Sequence, residues 1–361
     1  MKKSILSIFA LGAIFVACSD DDTDPISKPI VKPSTEDFTK LVFNQGTKVD
    51  ISTWTWKDAK LSNAVSTETL SGKVTTTVTL DATKKYSLPN SYTVEAGGKL
   101  IIPAGTQIEA SAAEGKDATS IYIAVLKGGV IEINGTADNP VVMSSKEGKP
   151  GNWGGLTICG EGITSAGVDK TAEVGGFKYG GTNVADNSGV INYLVIRGTG
   201  AQIDTESQYN GVSLYAVGSG TAITNVAIID GADDGIEFFG GSVSVTNLYL
   251  ENNEDDAIDW TEKWTGTVTN SYISHTIEDF STVVEADKDN GEPKLINLTA
   301  VSAKGGTALQ FKKASGATIT NLVLEGYDQE FDVKDPDQFI TANVIIDGKT
   351  VETKIETVEV K

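Results

Sequence analysis

The stretch Asp233–Trp260 reads DDGIEFFGGSVSVTNLYLENNEDDAIDW, and its two ends are nearly the same. The acidic motif DDGIE that begins at Asp233 returns as DDAID at Asp255, 22 residues later. A fixed spacing of 20 to 50 residues is typical of solenoids, in which each repeat forms one structural unit. This stretch therefore predicts a coil of about two dozen residues.

The same spacing continues along the second half of the chain, where short apolar strands each contain an asparagine. The aligned residues are Asn225, Asn247, Asn270, Asn297, Asn321 and Asn343, with steps of 22, 23, 27, 24 and 22 residues. Asparagine tolerates a left-handed backbone and bonds turn backbone groups. We therefore assign these residues to a structural ladder at one turn of the coil, with flanking residues such as Val226 and Leu248 facing inward.

The rest of the chain is rich in glycine, valine, isoleucine and threonine and shows almost no helical periodicity. We predict an all-β fold, a right-handed parallel β-helix of roughly ten coils over residues 92–361. Residues 36–91 are strand-rich but out of period, and we predict that they form an N-terminal cap over the open end of the solenoid. Polar, proline-dotted residues 18–35 are expected to be a flexible tether.

Stacking the repeats places carboxylates in three columns, because neighbouring strands in a sheet lie about 4.8 Å apart. The expected columns are Tyr209, Asp233, Asp255, Glu278 and Gly305; Asn210, Asp234, Asp256, Asp279 and Gly306; and Ser213, Glu237, Asp259, Thr282 and Leu309. Two unit charges at that spacing repel by about 3.5 kcal/mol at an effective dielectric constant near 20, and by about 1 kcal/mol in water.

Three things could offset this repulsion: protonation of some of the carboxylates, a nearby basic side chain, or a bound cation. Calcium fits clustered carboxylates because it takes about six to eight oxygen ligands. The candidate metal ligands are Asp233, Asp234, Glu237, Asp255, Asp256 and Asp259. The alternative is that these are solvated turn acids that accept backbone hydrogen bonds.

Several motifs between Tyr92 and Gly266 resemble a known group of proteins. NWGGLTICGEG, YGGTNVADNSGVINYLVIRGTG, DDGIEFFGGSVSVTNLYL and DDAIDWTEKWTG are similar to segments of bacterial secreted and lipid-anchored right-handed β-helix proteins, which are pectate-lyase-like in outline. The resemblance implies the fold and an exterior location, but no defined activity. The sequence departs from the group at Lys263, where a glycine is common.

The first residues indicate export. Lys2 and Lys3 precede a short apolar run, so residues 1–17 are expected to be a signal peptide. FVAC resembles a bacterial lipobox, which implies that Cys18 is acylated and anchors the chain to outer-membrane lipid. The following acidic SDDDTD resembles the surface-export signal of Bacteroidetes lipoproteins and implies that the body faces the cell exterior.

The charge restricts the partners. The formal net charge is −20, and loss of Lys2 and Lys3 with the signal peptide would bring it to −22. Nucleic acid is not expected to bind, because its phosphates need a basic footprint. An extracellular glycan or a protein fits better. Cys159, the other cysteine, lies in an apolar strand and is expected to be a buried free thiol.

Two functions that involve a ligand follow from these observations, and a purely structural component of the envelope or of an assembly is the third alternative. The first is a surface binding or adhesion module for a glycan or protein, assisted by calcium, with Trp153, Tyr179 and Tyr209 as candidate sugar-stacking residues. The alternative is a calcium-dependent polysaccharide lyase or another polysaccharide-degrading enzyme. A lyase needs a basic residue beside the metal, and the candidates are Lys263, Lys312 and Lys313; His275 is the only histidine. No catalytic residue is assigned, and an enzyme is the less favoured reading.

Overall fold

The computed structural model describes residues 44–112, 119–204 and 207–351, which all belong to one compact unit, Pro33–Lys361. The expected signal peptide, the lipidation site Cys18 and the tether to residue 35 lie outside the described residues. So does the end of the chain from residue 352.

Strands make up almost all the regular structure. They are β1 (Glu68–Thr69), β2 (Gly72–Val74), β3 (Thr77–Thr79), β4 (Lys85–Leu88), β5 (Tyr92–Val94), β6 (Lys99–Pro103), β7 (Gln107–Ala110), β8 (Ile123–Val125), β9 (Val130–Asn134), β10 (Val141–Ser145), β11 (Leu156–Cys159), β12 (Lys170–Thr171), β13 (Lys178–Tyr179), β14 (Gly189–Arg197), β15 (Val212–Tyr215), β16 (Ala222–Ile229), β17 (Ile236–Phe239), β18 (Ser244–Glu251), β19 (Ile258–Thr261), β20 (Thr267–His275), β21 (Val284–Ala286), β22 (Lys294–Ser302), β23 (Thr307–Phe311), β24 (Ala317–Glu325), β25 (Gln329–Val333), β26 (Val344–Ile346) and β27 (Lys349–Thr350). Two short 3₁₀ helices span Thr55–Asp58 and Thr341–Asn343.

The strands stack as a right-handed parallel β-helix, as the sequence predicts. One sheet contains β2, β5, β8, β11, β15, β17, β19, β21, β23 and β25 in that order, all paired in parallel, and we call it the short-strand sheet. Nine of its ten strands begin at or after residue 92, close to the roughly ten coils expected there, and β2 precedes that boundary. The other large sheet, which we call the long-strand sheet, contains the longer strands β14, β16, β18, β20, β22 and β24, with shorter strands at each end.

Each long strand bends at a single residue with a left-handed backbone. That residue is Asn225 in β16, and its counterparts are Asn247, Asn270, Asn297 and Asn321, with φ between 55° and 59°. In each case the Nδ2 atom donates a hydrogen bond to the asparagine one coil earlier, at 2.7 to 3.0 Å. Asn225 continues the ladder to Asn192 in β14 at 2.8 Å.

Asn343 is not part of this ladder, although the sequence spacing includes it. It ends the 3₁₀ helix Thr341–Asn343, and its Nδ2 donates to the Ala314 carbonyl at 2.8 Å. The coils end just there, since β26 and β27 close the sheet as an antiparallel pair. The ladder instead ends at Asn321, which exchanges hydrogen bonds with the backbone of Thr47.

The interior is filled by stacked apolar side chains from all faces of the coil. Leu214, Phe238 and Trp260 lie in register on β15, β17 and β19 and are fully buried. Val226 and Leu248 are buried on the long strands, as expected. Side chains alternate along a strand, so the residues between these positions point outward, and that alternation places the acidic side chains on the outer surface.

The predicted N-terminal cap has a different structure in its described part, residues 44–91. Residues 44–62, which we call the strap, run lengthwise along the outside of the long-strand sheet. Asn44 bonds Leu324, Val49 bonds Thr299, and Ser62 bonds Gln107. From Glu68 onward the chain already forms parallel coil strands. The coils therefore begin well before the expected boundary at residue 92.

The strap is held by aromatic packing. Trp54 and Trp56 are buried and form an apolar cluster with outward-facing residues of the long strands, including Val195 and Tyr249. Trp56 meets Tyr193 edge to face, with ring centroids 5.7 Å apart. The two tryptophans of the WTW motif therefore cover an apolar stripe on the side of the solenoid rather than its open end.

Candidate functional site

The acidic side chains lie together on the outer face of the short-strand sheet. The strand register puts Ser213 opposite Glu237, Glu237 opposite Asp259, and Asp259 opposite Glu285. The flanking residues Ile236 and Ile258 fill the interior, so the carboxylates point outward on three successive strands. This column runs parallel to the axis of the β-helix.

The turns that precede β17 and β19 add the remaining acids. Asp234 is buried, and its Oδ1 accepts a hydrogen bond from the Asp256 backbone N–H at 2.9 Å, so consecutive turns are tied together. Asp256 Oδ1 accepts from the hydroxyl of Thr282 at 2.6 Å. On the preceding coil, Asn210 Nδ2 donates to Glu237 Oε2 at 2.7 Å.

An insertion between β11 and β14 packs over part of this face. It contains the antiparallel pair β12 and β13. Tyr179 of the insertion contacts Tyr215 of β15, with ring centroids 5.0 Å apart, and Tyr215 stacks on Phe239 of β17 at 4.0 Å. Glu237 lies on the same outer face and is only 8 % exposed. The insertion thus keeps water away from side chains that a bare coil would leave exposed.

The carboxylates form two sets, each close enough to share one ion. Asp233, Asp234 and Asp255 are the first set, and Asp234, Glu237 and Asp259 are the second. Within each set the oxygen atoms lie within 4.8 Å of one another. Oxygen ligands of one calcium ion, at about 2.3–2.6 Å from it, are separated by no more than about 5 Å. Both sets therefore have the spacing that calcium needs, and Asp234 belongs to both.

One oxygen in the second set has no hydrogen bond. Asp259 Oδ1 is buried and has no partner among the described residues. Burying a carboxylate oxygen without a hydrogen-bond partner costs from about 1 kcal/mol to several kcal/mol of folding free energy. A cation or a proton at this position would satisfy it, so the residues present fit a bound calcium ion. Asp256, the remaining candidate ligand, belongs to neither set. Its carboxylate accepts the hydrogen bond from Thr282 instead.

Burial raises the pKa values of the cluster. It raises the pKa of Asp233 to about 8, and the charge of Asp255 adds to the effect. The pKa values of Asp234, Glu237 and Asp259 also lie well above their usual range, first because of burial. The neighbouring carboxylates raise those of Asp234 and Glu237 further. Without a cation, this cluster holds protons near neutral pH.

Among the described residues, one basic side chain contacts the column. Lys312, directly after β23, donates a hydrogen bond to Glu285. Burial lowers the pKa of Lys312, but the hydrogen bond and charge of Glu285 outweigh burial, so the pKa is raised overall. Lys313, the adjacent candidate, is paired with Asp287 at 2.9 Å. Lys312 therefore neutralises Glu285 and leaves the two oxygen sets without a contacting cation among the described residues.

The structure corrects part of the expected columns. Ser281 N–H donates to the carbonyl of Asp255, and Thr282 bonds Asp256, so Glu278 and Asp279 lie outside the cluster. The third column continues from Asp259 to Glu285, not to Thr282. The physical reason is that this coil carries three extra residues before β21. On the coils of β15, β17 and β19 the columns agree with the sequence alignment, since Ser213, Glu237 and Asp259 lie in register.

The aromatic residues expected to stack on sugars are packed inside the protein. Trp153 is fully buried and its Nε1 donates to the carbonyl of Arg197. Tyr179 and Tyr209 are only 3 % and 2 % exposed. These three residues are therefore not a sugar-binding platform, and that expectation is wrong.

His275 is also a packing residue. It is buried, stacks on Phe280 with ring centroids 3.8 Å apart and bonds Tyr327 through Nδ1. Burial lowers its pKa to about 4. Cys159 is a buried free thiol, as expected, and burial raises its pKa to about 12.

Fold and site together define a right-handed parallel β-helix with an acidic face partly covered by an insertion. The family model for the pectate-lyase-like β-helix domain matches residues 72–361, so the chain belongs to that family. None of the curated proteins compared with the chain matches it.

Within the described residues, no helix is both long and apolar enough to cross a membrane.

Proposed function

We propose that this chain is a lipid-anchored binding module at the cell surface, and that its acidic cluster holds calcium. The observation that carries the proposal is the second carboxylate set, Asp234, Glu237 and Asp259, which has the oxygen spacing of a calcium site. Asp234 and Glu237 are buried, and Asp259 is partly buried. The ion would tie two consecutive coils to each other, because Asp234 and Glu237 belong to the coil of β17 and Asp259 to that of β19. Calcium here is structural, and it stabilises the surface that meets the partner.

The position of the cluster favours binding over catalysis. A lyase requires a neutral basic side chain beside the metal to remove a proton. Lys312 is the nearest candidate, and its pairing with Glu285 keeps it protonated. Asp234 and Glu237 are also buried, which restricts the access of a polymer to them. The second candidate function, a polysaccharide-acting enzyme, rests on the family match and on the proximity of Lys312 to the acids.

Of the two partner classes, a basic protein surface fits better than a glycan. The chain has a formal net charge of −20, which attracts positively charged partners. The aromatic side chains that would stack on sugars are buried. Solenoids present long, regular surfaces that suit extended protein partners. Acylation of Cys18 and display on the outer membrane, facing outward, complete the proposal and rest on the N-terminal sequence alone.

An array experiment tests the partner class. We expect the full chain, in calcium, to bind lysine- and arginine-rich peptides and to release them at high salt, because screening weakens exposed charge pairs. Neutral and uronate glycans on the same array are expected to give no signal. Hits confined to glycans would contradict the choice of a protein partner. Release of an ultraviolet-absorbing unsaturated product from uronate polymers would favour the enzyme.

Calcium is expected to raise the thermal midpoint, and to raise it more at pH 8 than at pH 5. The folded-state pKa values of the cluster lie above their unfolded values, so the folded protein binds more protons. Without calcium, the stability that the cluster contributes is therefore fully present below about pH 4 and is lost as pH rises towards the Asp233 pKa of about 8. Calcium replaces those protons. At a hundredfold excess over its Kd it adds about 2.7 kcal/mol, or roughly 5 °C.

Two variants provide the comparison. In chelator at pH 8, Asp234→Asn is expected to raise the midpoint, because the amide is neutral without having to bind a proton, and to abolish most of the calcium effect. Asp279→Asn removes an exposed acid outside the cluster and is expected to respond to calcium like the parent. A midpoint that is the same in calcium and chelator at both pH values would show that the cluster holds only protons.

A further inference from the structure

A pocket separate from the acidic cluster opens at the edge of the insertion. It has a volume of about 420 Å³ and lies between the insertion and the turns that follow β17 and β19. Ile163 and Val184 form its apolar wall, and both are more than half exposed at 53 % and 52 %. Gly241, Ser242 and Lys263 line the opposite side. Pockets of this size and character accommodate small ligands.

The polar groups of the wall are largely engaged within the protein. Ser242 Oγ donates to the carbonyl of Val184, and Thr265 Oγ1 donates to that of Gly241. Thr164 Oγ1 donates to Glu262. The ammonium of Lys263 is different, since it forms no hydrogen bond or ion pair with any residue in the described ranges. The pocket thus combines an apolar wall with one unpaired positive charge.

Lys263 also has an unfavourable backbone. It follows Glu262 in the turn Thr261–Trp264, in which both central residues are left-handed, with φ of 54° and 65°. This is the pattern of a type I′ turn, which favours glycine, asparagine and aspartate. Glu262 is held there by hydrogen bonds from Thr164 and Tyr179. Among the described residues, no hydrogen bond holds the Lys263 side chain, so such contacts do not explain its backbone strain of about 1 kcal/mol.

We propose that this pocket binds a small amphipathic carboxylate, with the apolar part against Ile163 and Val184 and the carboxylate on the Lys263 ammonium. The pocket volume limits the ligand to a small molecule. The chain as a whole is negatively charged, with a net charge of −20, and repels anions. The unpaired Lys263 ammonium would attract an anion at this one place. This inference goes beyond the proposed function and does not depend on calcium or on the acidic cluster.

The test uses octanoate as the probe and octanol as its neutral counterpart, titrated into the full chain by ligand-observed NMR. We expect octanoate to bind more tightly than octanol. Lys263→Gly removes the ammonium and relieves the backbone, so it is expected to fold normally. It should weaken octanoate binding by about tenfold, as loss of a charge-assisted hydrogen bond does, and leave octanol unchanged.

Two further variants complete the design. Lys288→Gly is the matched control, because Lys288 is also an exposed lysine with a left-handed backbone, φ 62°, but does not line the pocket. It should bind octanoate like the parent. Ile163→Asn should weaken both probes. The proposal is overturned if octanoate and octanol bind equally, if Lys263→Gly binds octanoate unchanged, or if neither probe binds because a second copy of the chain fills the pocket.

Discussion

Replacing Phe238 with alanine is expected to lower the free energy of unfolding by about 4 kcal/mol. Phe238 is fully buried in β17 and stacks on Trp264, with ring centroids 4.0 Å apart and planes 15° from parallel. Its neighbours above and below are Leu214 and Trp260. The cavity would lie in the middle of the stack, where neither adjoining coil can move inward. Urea denaturation followed by tryptophan fluorescence measures the change.

Val65→Ala is the control for this measurement, because Val65 is 83 % exposed and its loss is expected to change stability by no more than about 0.5 kcal/mol. A loss below about 1 kcal/mol for Phe238→Ala would mean that the side chain does not lie in the interior. The strand register would then be shifted by one residue, and Glu237 and Asp259 would no longer point outward.

Replacing Asn247 with valine is expected to destabilise the protein by about 3 kcal/mol. Asn247 donates to Asn225 at 2.8 Å and accepts from Asn270 at 3.0 Å, so two hydrogen bonds are lost at about 1 kcal/mol each. Its φ is 59°, and a β-branched residue adds at least about 1 kcal/mol of backbone strain there.

Two comparisons separate these contributions. Asn247→Gly keeps the backbone and removes only the hydrogen bonds, so a smaller loss is expected. Asn343→Ala, outside the ladder, should cost about 1 kcal/mol, since it removes one bond to Ala314. Equal losses for Asn247→Val and Asn343→Ala would show that the ladder contributes nothing particular to stability.

The asparagine spacing was enough to predict the coil and the stacking of the acids. Asn225 and Asn247 are each followed after nine residues by a buried aspartate, Asp234 or Asp256, and the structure stacks these two turns directly. A period of about 22 residues can be read from sequence because each coil contributes a strand to each of the same two sheets. Interior residues follow, since side chains alternate on every strand.

The prediction failed where the coil changes length. After Asn270 the equivalent turn residue is Thr282, twelve positions on rather than nine. The extra residues lie in a polar turn, where no periodic pattern fixes their position. Glu285 was therefore missed as the next member of the column, although it stands opposite Asp259.

Contacts between distant parts of the chain could not be predicted from the repeat. The WTW motif indicates a buried apolar segment, but not that the strap lies along the side of the solenoid. Likewise, the residues around β12 and β13 show no period, and their packing over Tyr215 is visible only in three dimensions. The burial of the acids depends on that packing. Composition and spacing alone therefore left solvated acids and a metal site equally open.

Calcium binding itself is the most direct test of the account. Isothermal titration calorimetry of the full chain at pH 8 is expected to show saturable calcium binding that Asp234→Asn abolishes and Asp279→Asn preserves, because Asp234 belongs to both oxygen sets. Absence of calcium binding to the parent, or binding by Asp234→Asn as tight as that of the parent, would contradict the account.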